Sequence, residues 1–154
     1  MKKLLKNIIC LCSCLILSGC EKNCTFEEFN QAAKNIKEHN FTTAHYKRTF
    51  YNCQTSEGVV KYSSTYKLFS GPSLTVVDLI NNFKLSDYVD KRYETTTYNI
   101  ENGFSVYYKL EKDGVLWNLF NYKWNEYGLI TRYEYYTDIS SRYKLVTTIT
   151  ITYE

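Results

Sequence analysis

The feature that most limits the fold is the strand-and-turn rhythm of residues 91–154. Lys91–Ile100, Phe104–Glu111, Val115–Trp124, Leu129–Thr137 and Tyr143–Tyr153 are rich in Tyr, Thr, Val and Ile. Such side chains suit a pleated, half-buried surface. Asn102-Gly103 and Asp113-Gly114 separate the first three segments, and both dipeptides tolerate the positive φ of a tight hairpin. Asn125–Gly128 reads as a four-residue loop, and Asp138–Arg142 joins the last pair. Connections this short join antiparallel neighbours, so the segment reads as a meander.

The turn lengths set an expected register. Across Asn102-Gly103, Tyr98 faces Tyr107. Across Asp113-Gly114, Tyr107 faces Phe120 and Leu110 faces Trp117. Across the four-residue loop, Trp124 faces Leu129 and Phe120 faces Tyr133. Opposed residues share a face. One face then collects Tyr98, Ile100, Tyr107, Leu116, Phe120, Tyr122, Trp124, Leu129, Tyr133 and Tyr135. The other collects Phe104, Val106, Tyr108, Leu110, Trp117, Leu119 and Tyr136, with Lys123, Arg132 and Glu134 among them. Neither face is cleanly polar, whereas a one-sided antiparallel sheet alternates. Two readings stand. Either a twisted sheet packs on helices and the surplus Tyr rings keep their hydroxyls in water, or the sheet curls into a half-barrel around an apolar cavity.

Upstream, Thr25-Phe26-Glu27-Glu28 has the form of a capping box. Phe26, Phe29, Ala33 and Ile36 follow at helical spacing, which predicts an amphipathic helix of roughly 15 residues with one stripe on a core. Phe41–Asn52 and Val59–Ser70 read as strands joined through Cys53, Ser56 and Gly58. Gly71-Pro72 breaks the run, and a short helix follows through about Phe83. The expected class is α+β: an N-terminal amphipathic helix packed on a curved antiparallel sheet of about six or seven strands, closed by a C-terminal meander.

The first residues carry a different signal. Lys2, Lys3 and Lys6 precede an apolar run from Ile8 to Leu17. About ten residues is half of what a membrane span needs, and it is the size of a signal-peptide core. Leu17-Ser18-Gly19-Cys20 closes the run. Here the chain resembles a bacterial lipoprotein precursor, whose lipobox these four residues match. The resemblance implies diacylglycerol on the Cys20 thiol, cleavage before Cys20 and palmitate-type acylation of the anchor. The expected organisation is a signal peptide over residues 1–19, a lipidated tether over 20–24 and a single domain over 25–154. The expected location is the extracytoplasmic face of the cell membrane or envelope, held there through Cys20.

Two further consequences follow from that reading. The formal charge of +3 comes from 19 basic and 16 acidic side chains. Removing the three N-terminal lysines leaves a neutral domain, so nucleic acid is not an expected partner. Cys10, Cys12 and Cys14 leave with the signal peptide, and Cys24 and Cys53 remain. In an oxidising compartment they can form a bridge across about 30 residues; the alternative is two reduced thiols.

The order of helix, long strands, small helix and closing meander is similar to LolA-like half-barrel lipid-binding lipoproteins, by layout alone over Phe26–Tyr153. That resemblance implies a concave sheet closed by short helices around acyl chains. Cystatin-like sheets and sheets of the nuclear-transport-factor type are the alternatives.

Catalytic patterns are missing. His39 and His45 have no Cys or His partner at metal-ligand spacing. Cys24 and Cys53 do not form a CxxC pair. A Cys53–His45 nucleophile pair lacks an orienting acid and an oxyanion hole. There is no Walker loop, GxGxxG or GxSxG. The expectation is therefore a non-catalytic binding protein with no cofactor and no metal. Its expected ligand is a lipid or other apolar molecule lined by Tyr107, Tyr108, Leu110, Trp117, Phe120 and Trp124. The alternatives are a recognition module for wall polysaccharide or a partner protein through exposed Tyr and Trp, and a structural envelope lipoprotein.

Overall fold

In the computed structural model, which describes residues 23–62, 68–70, 74–89, 96–112, 115–138 and 143–154, the Tyr- and Thr-rich segments pair into one sheet. The strands are β1 (Asn23–Cys24), β2 (Thr43–Phe50), β3 (Thr55–Tyr62), β4 (Leu68–Ser70) and β5 (Thr96–Asn99). The meander supplies β6 (Phe104–Lys112), β7 (Val115–Trp124), β8 (Ile130–Asp138) and β9 (Tyr143–Tyr153). Their order is β1-β5-β6-β7-β8-β9-β2-β3-β4, all antiparallel. Three short helices accompany them: α1 (Phe26–Ala33), α2 (Leu74–Asn82) and α3 (Ser86–Val89).

The meander from β5 to β9 is present as expected. The fold is mainly β rather than α+β, and among the described residues nine strands replace the six or seven expected. One addition is β1, a two-residue strand at the edge of β5 inside the segment read as tether. The other comes from the stretch read as a single strand over Val59–Ser70. It divides into β3 and β4, which pair with each other. Neither short edge strand is long enough to show a period of two.

The capping box forms as the sequence predicts. The Thr25 hydroxyl accepts from the Glu28 N–H at 3.2 Å, and the Glu28 carboxylate accepts from the Thr25 N–H at 2.8 Å. The helix it starts has eight residues, about half the expected length. The Asn35 and Ile36 N–H groups close the last turn onto the Ala32 and Ala33 carbonyls. Residues 36–41 then run without regular structure to β2. Ile36, expected to extend the helical stripe, instead packs at the core margin. Tertiary contact overrides helical propensity there.

One row of register partners crosses six strands: Tyr98, Val106, Tyr122, Tyr133, Ile149 and Arg48. Tyr98, Val106, Tyr122 and Ile149 are buried, so this is the core face. The fully buried Phe29 of α1 lies 4.8 Å from Tyr98 and 5.8 Å from Phe104, ring to ring. Phe83, just past α2, stacks on Tyr122 at 5.3 Å, and Tyr88 of α3 meets Trp124 edge-on at 5.0 Å. The opposite face carries the row Thr97, Tyr107, Asn121, Glu134, Thr148 and Thr49. On it Asn121 donates to Glu134 at 2.8 Å, and Arg132 also bonds that carboxylate.

Against the expected register, β6 is inverted. The β5–β6 pair nearest its turn is Asn99↔Ser105, which centres the turn on Asn102 rather than between Asn102 and Gly103. A bulge between Leu110 and Glu111 then restores a different phase, so Tyr108 faces Phe120 and Tyr107 faces Asn121. Across the β7–β8 loop Phe120 faces Tyr135 instead of Tyr133, a shift of two that keeps the face. Because the side-chain period is two, each odd slip moves a whole strand to the other face. The Asp113-Gly114 turn, Gly71-Pro72, residues 91–95 and the signal and lipobox segments lie outside the described residues.

Candidate functional site

The six aromatic and aliphatic candidates do not converge on one site. Trp124 is a core residue, only 1% exposed, and its indole N–H donates to the Phe83 carbonyl at 3.3 Å. Tyr108 and Phe120 share the core face and stack at 5.6 Å, with Tyr135 on the other side of Phe120 at 5.1 Å. These three rings are half-buried. Tyr107 points to the opposite face, beside Asn121. Leu110 and Trp117 belong to β6 and β7, and their side chains lie outside the described ones. Cys24, on edge strand β1, and Cys53, in the β2–β3 turn at φ +64°, are free thiols. Strands β1 and β2 stand six places apart in the sheet. Cys20 lies outside the described residues.

Three connections create a cavity of about 620 Å³ instead. The 34–41 stretch after α1, the α2–α3 junction and the β7–β8 loop meet over the end of the sheet where Ile130 and Tyr62 lie. Ile36, Phe41, Ile80, Phe83, Leu85 and Ile130 give it an apolar wall, to which Leu129 adds. Its lining residues with polar groups are His39, Asn81, Lys84, Ser86, Tyr62 and Tyr127. A volume of this size, largely apolar with a few polar groups, is what small-ligand sites have in common.

The mouth is clasped by side chains from the 34–41 stretch and the β7–β8 loop. His39 stacks on Tyr127 at 4.4 Å, and Lys37 reaches Glu126 at 3.9 Å. Gly128 sits at φ +72°, and a Cβ there would come within 2.9 Å of the Ile36 side chain. Glycine therefore satisfies both the turn and the close approach. Hydrogen bonding to Glu126 and the nearby carboxylate charge push the Tyr127 phenol up. Tyr153 donates to the Ile130 carbonyl at 2.7 Å. Tyr62 packs edge-on to Phe41 at 5.1 Å, and its buried hydroxyl has no partner among the described residues. Burial pushes that phenol up to about 12.

None of the six candidate residues lines this cavity; Trp124 borders a separate recess of about 250 Å³ with Phe104, Lys123 and Thr131. The sequence marked Ile36 as part of a helical stripe and gave His39 no metal-ligand partner; His39 is exposed. Nothing local links either to Tyr127 or Phe83, because the cavity is made by loops distant in sequence. Among the described residues, no three His, Cys, Asp or Glu side chains gather as a metal site. No helix among them is long and apolar enough to cross a membrane. Comparison with family models, with curated proteins and with solved structures finds no match to this chain.

Proposed function

We propose that the chain is a lipid-anchored, extracytoplasmic binding protein that holds a lipid or other apolar ligand and catalyses nothing. The observation that carries this reading is the cavity of about 620 Å³ with its apolar wall. In this reading the sheet is a half-barrel. Register shifts at Lys61/Tyr62, Leu110/Glu111, Lys123/Trp124 and Tyr135/Tyr136 support it, because such irregularities bend strands and increase twist. The lipobox residues Leu17-Ser18-Gly19-Cys20 support the anchor. Transfer of acyl surface into the cavity would supply the affinity, at about 25 cal/mol per Å².

Every described element lies between Asn23 and Glu154, so a chain from Glu21 to Glu154 retains all of these contacts. That chain is incubated with sonicated bacterial phospholipid and free lipids, repurified, and weighed intact before and after organic extraction. An adduct lost on extraction is the expected result. A bare mass in both measurements contradicts the reading.

The stacked Tyr108, Phe120 and Tyr135 rings favour a second reading, recognition of wall polysaccharide or a partner protein by the sheet. Half-buried flat rings stack on sugars and anchor interfaces. Binding of soluble wall fragments that Phe120→Ala abolishes is the result this alternative requires.

A further inference from the structure

We infer that the cavity selects its occupant by the number and length of acyl chains and not by the charge of the head: it takes one chain of up to about twenty carbons and leaves the head in water. The inference rests on the cavity reading above and adds the class of ligand, a single-chain lipid.

Size sets the chain number. A methylene occupies about the volume of one liquid water molecule, ~30 Å³. A space of about 620 Å³ therefore takes about twenty carbons. One palmitoyl chain fills most of it. Two such chains need about 960 Å³, so the second tail of a phospholipid stays outside. Each methylene left in water forfeits about a fourfold gain in affinity.

The wall is sorted by depth, which sets the direction of entry. Ile80, Leu85 and Ile130 are buried. His39, Lys84 and Ser86, which carry polar groups, are exposed residues. A chain lying along the buried residues brings its head out among the exposed ones.

The rim offers both signs of charge. Lys37 faces Glu126 at 3.9 Å, and both side chains are more than half exposed. The Tyr127 phenol is also hydrogen-bonded to Glu126. Asp87 accepts from the backbone N–H of the exposed Lys84 at 3.1 Å. Solvated charges of mixed sign change affinity by about fivefold or less. Burial of two methylenes already outweighs that, so the chain decides what binds.

The test uses the Glu21–Glu154 chain and an even-numbered series of fatty acids from octanoate to tetracosanoate, delivered on cyclodextrin. Bound acid is extracted and measured by mass spectrometry against free acid. The bound-to-free ratio is expected to climb about fourfold per methylene and to level off by about twenty carbons. Leu129→Trp, at a half-exposed position on the wall, takes up about two methylenes of space and is expected to lower that plateau by about two carbons. Monopalmitoyl- and dipalmitoyl-phosphatidylcholine share one head; native mass spectra are expected to show one monoacyl lipid per protein and at least about tenfold less diacyl lipid. Dodecanoate, dodecanol and dodecyltrimethylammonium, titrated by calorimetry below their micelle concentrations, are expected to agree within about fivefold. A ratio still climbing at tetracosanoate, equal occupancy by the diacyl lipid, or a tenfold preference among the heads overturns the inference and leaves the cavity reading intact. No acid bound by the parent chain, or a plateau that Leu129→Trp does not move, overturns both.

Discussion

Phe29→Ala is the perturbation that probes how the helices close the core face. Phe29 is fully buried and contacts two rings, Tyr98 at 4.8 Å and Phe104 at 5.8 Å in an edge-on arrangement. Losing a buried Phe side chain removes about 2–3 kcal/mol of transfer free energy. The edge-on ring pair adds about 1 kcal/mol, and the void left between α1 and β5 about another 1. The expected loss is therefore about 4–5 kcal/mol, the upper part of the usual range for this truncation. In a domain of this size that lowers the thermal midpoint by about 10 °C or more. Urea unfolding followed by tryptophan fluorescence measures it, with the slope unchanged and the midpoint reduced. Ala33, next on the same stripe, is also buried, so α1 has no alternative anchor on another face. A loss below about 1 kcal/mol would falsify the docking of α1 on Tyr98 and Phe104.

Three more outcomes are specific enough to check. Burial alone would raise the Glu134 carboxyl, but hydrogen bonds from Asn121 and Arg132 and the guanidinium charge outweigh it and hold the group below its ordinary value. Its contribution is therefore present above the unfolded-state value of about 4.3 and is lost as pH falls through the lower folded value. Glu134→Gln flattens the acid limb of a stability-against-pH curve relative to the parent; an unchanged limb contradicts that network. Gly103→Ala combines a residue at φ +110° with a Cβ that would collide with the Trp124 carbonyl oxygen, and costs about 1–3 kcal/mol in the same urea assay. Cys20→Ser in the full chain abolishes incorporation of an alkyne-tagged palmitate and releases the protein from the membrane fraction; retained label refutes the lipobox assignment.

The sheet was legible because its signals are local. Each meander strand is announced by period and composition, and the Asn102-Gly103 turn carries its positive φ values, +54° and +110°. Facing was less legible because it depends on single residues. The turn centred on Asn102 and the bulge at Leu110/Glu111 together invert β6, exchanging Tyr107 for Tyr108 on the core face. Neighbouring β7 and β8 kept their expected faces because the change in pairing between them was even. The α1 boundary was missed since no Gly or Pro follows Ala33; Ile36 leaves the helix to meet Gly128, about ninety residues away in sequence. The cavity was illegible for the same reason. Ile36, Tyr62, Phe83 and Tyr127 lie on separate connections and strands, and only the closed chain brings them together. Aromatic richness pointed to the sheet, where Trp124 turned out to be core.

The central claim is that an acyl chain enters the space bounded by Phe83 and Ile130. Trp124 bonds to the Phe83 carbonyl and sits beside that wall, so it is a built-in reporter. Trp117→Phe leaves it as the sole tryptophan of the two. Titration with an undecanoate carrying bromine at its far end is the most direct measurement. Saturable quenching of Trp124 fluorescence at one ligand per chain, reversed by excess unbrominated dodecanoate, is the predicted result. Quenching that only rises linearly with concentration, as free collision gives, would contradict the account.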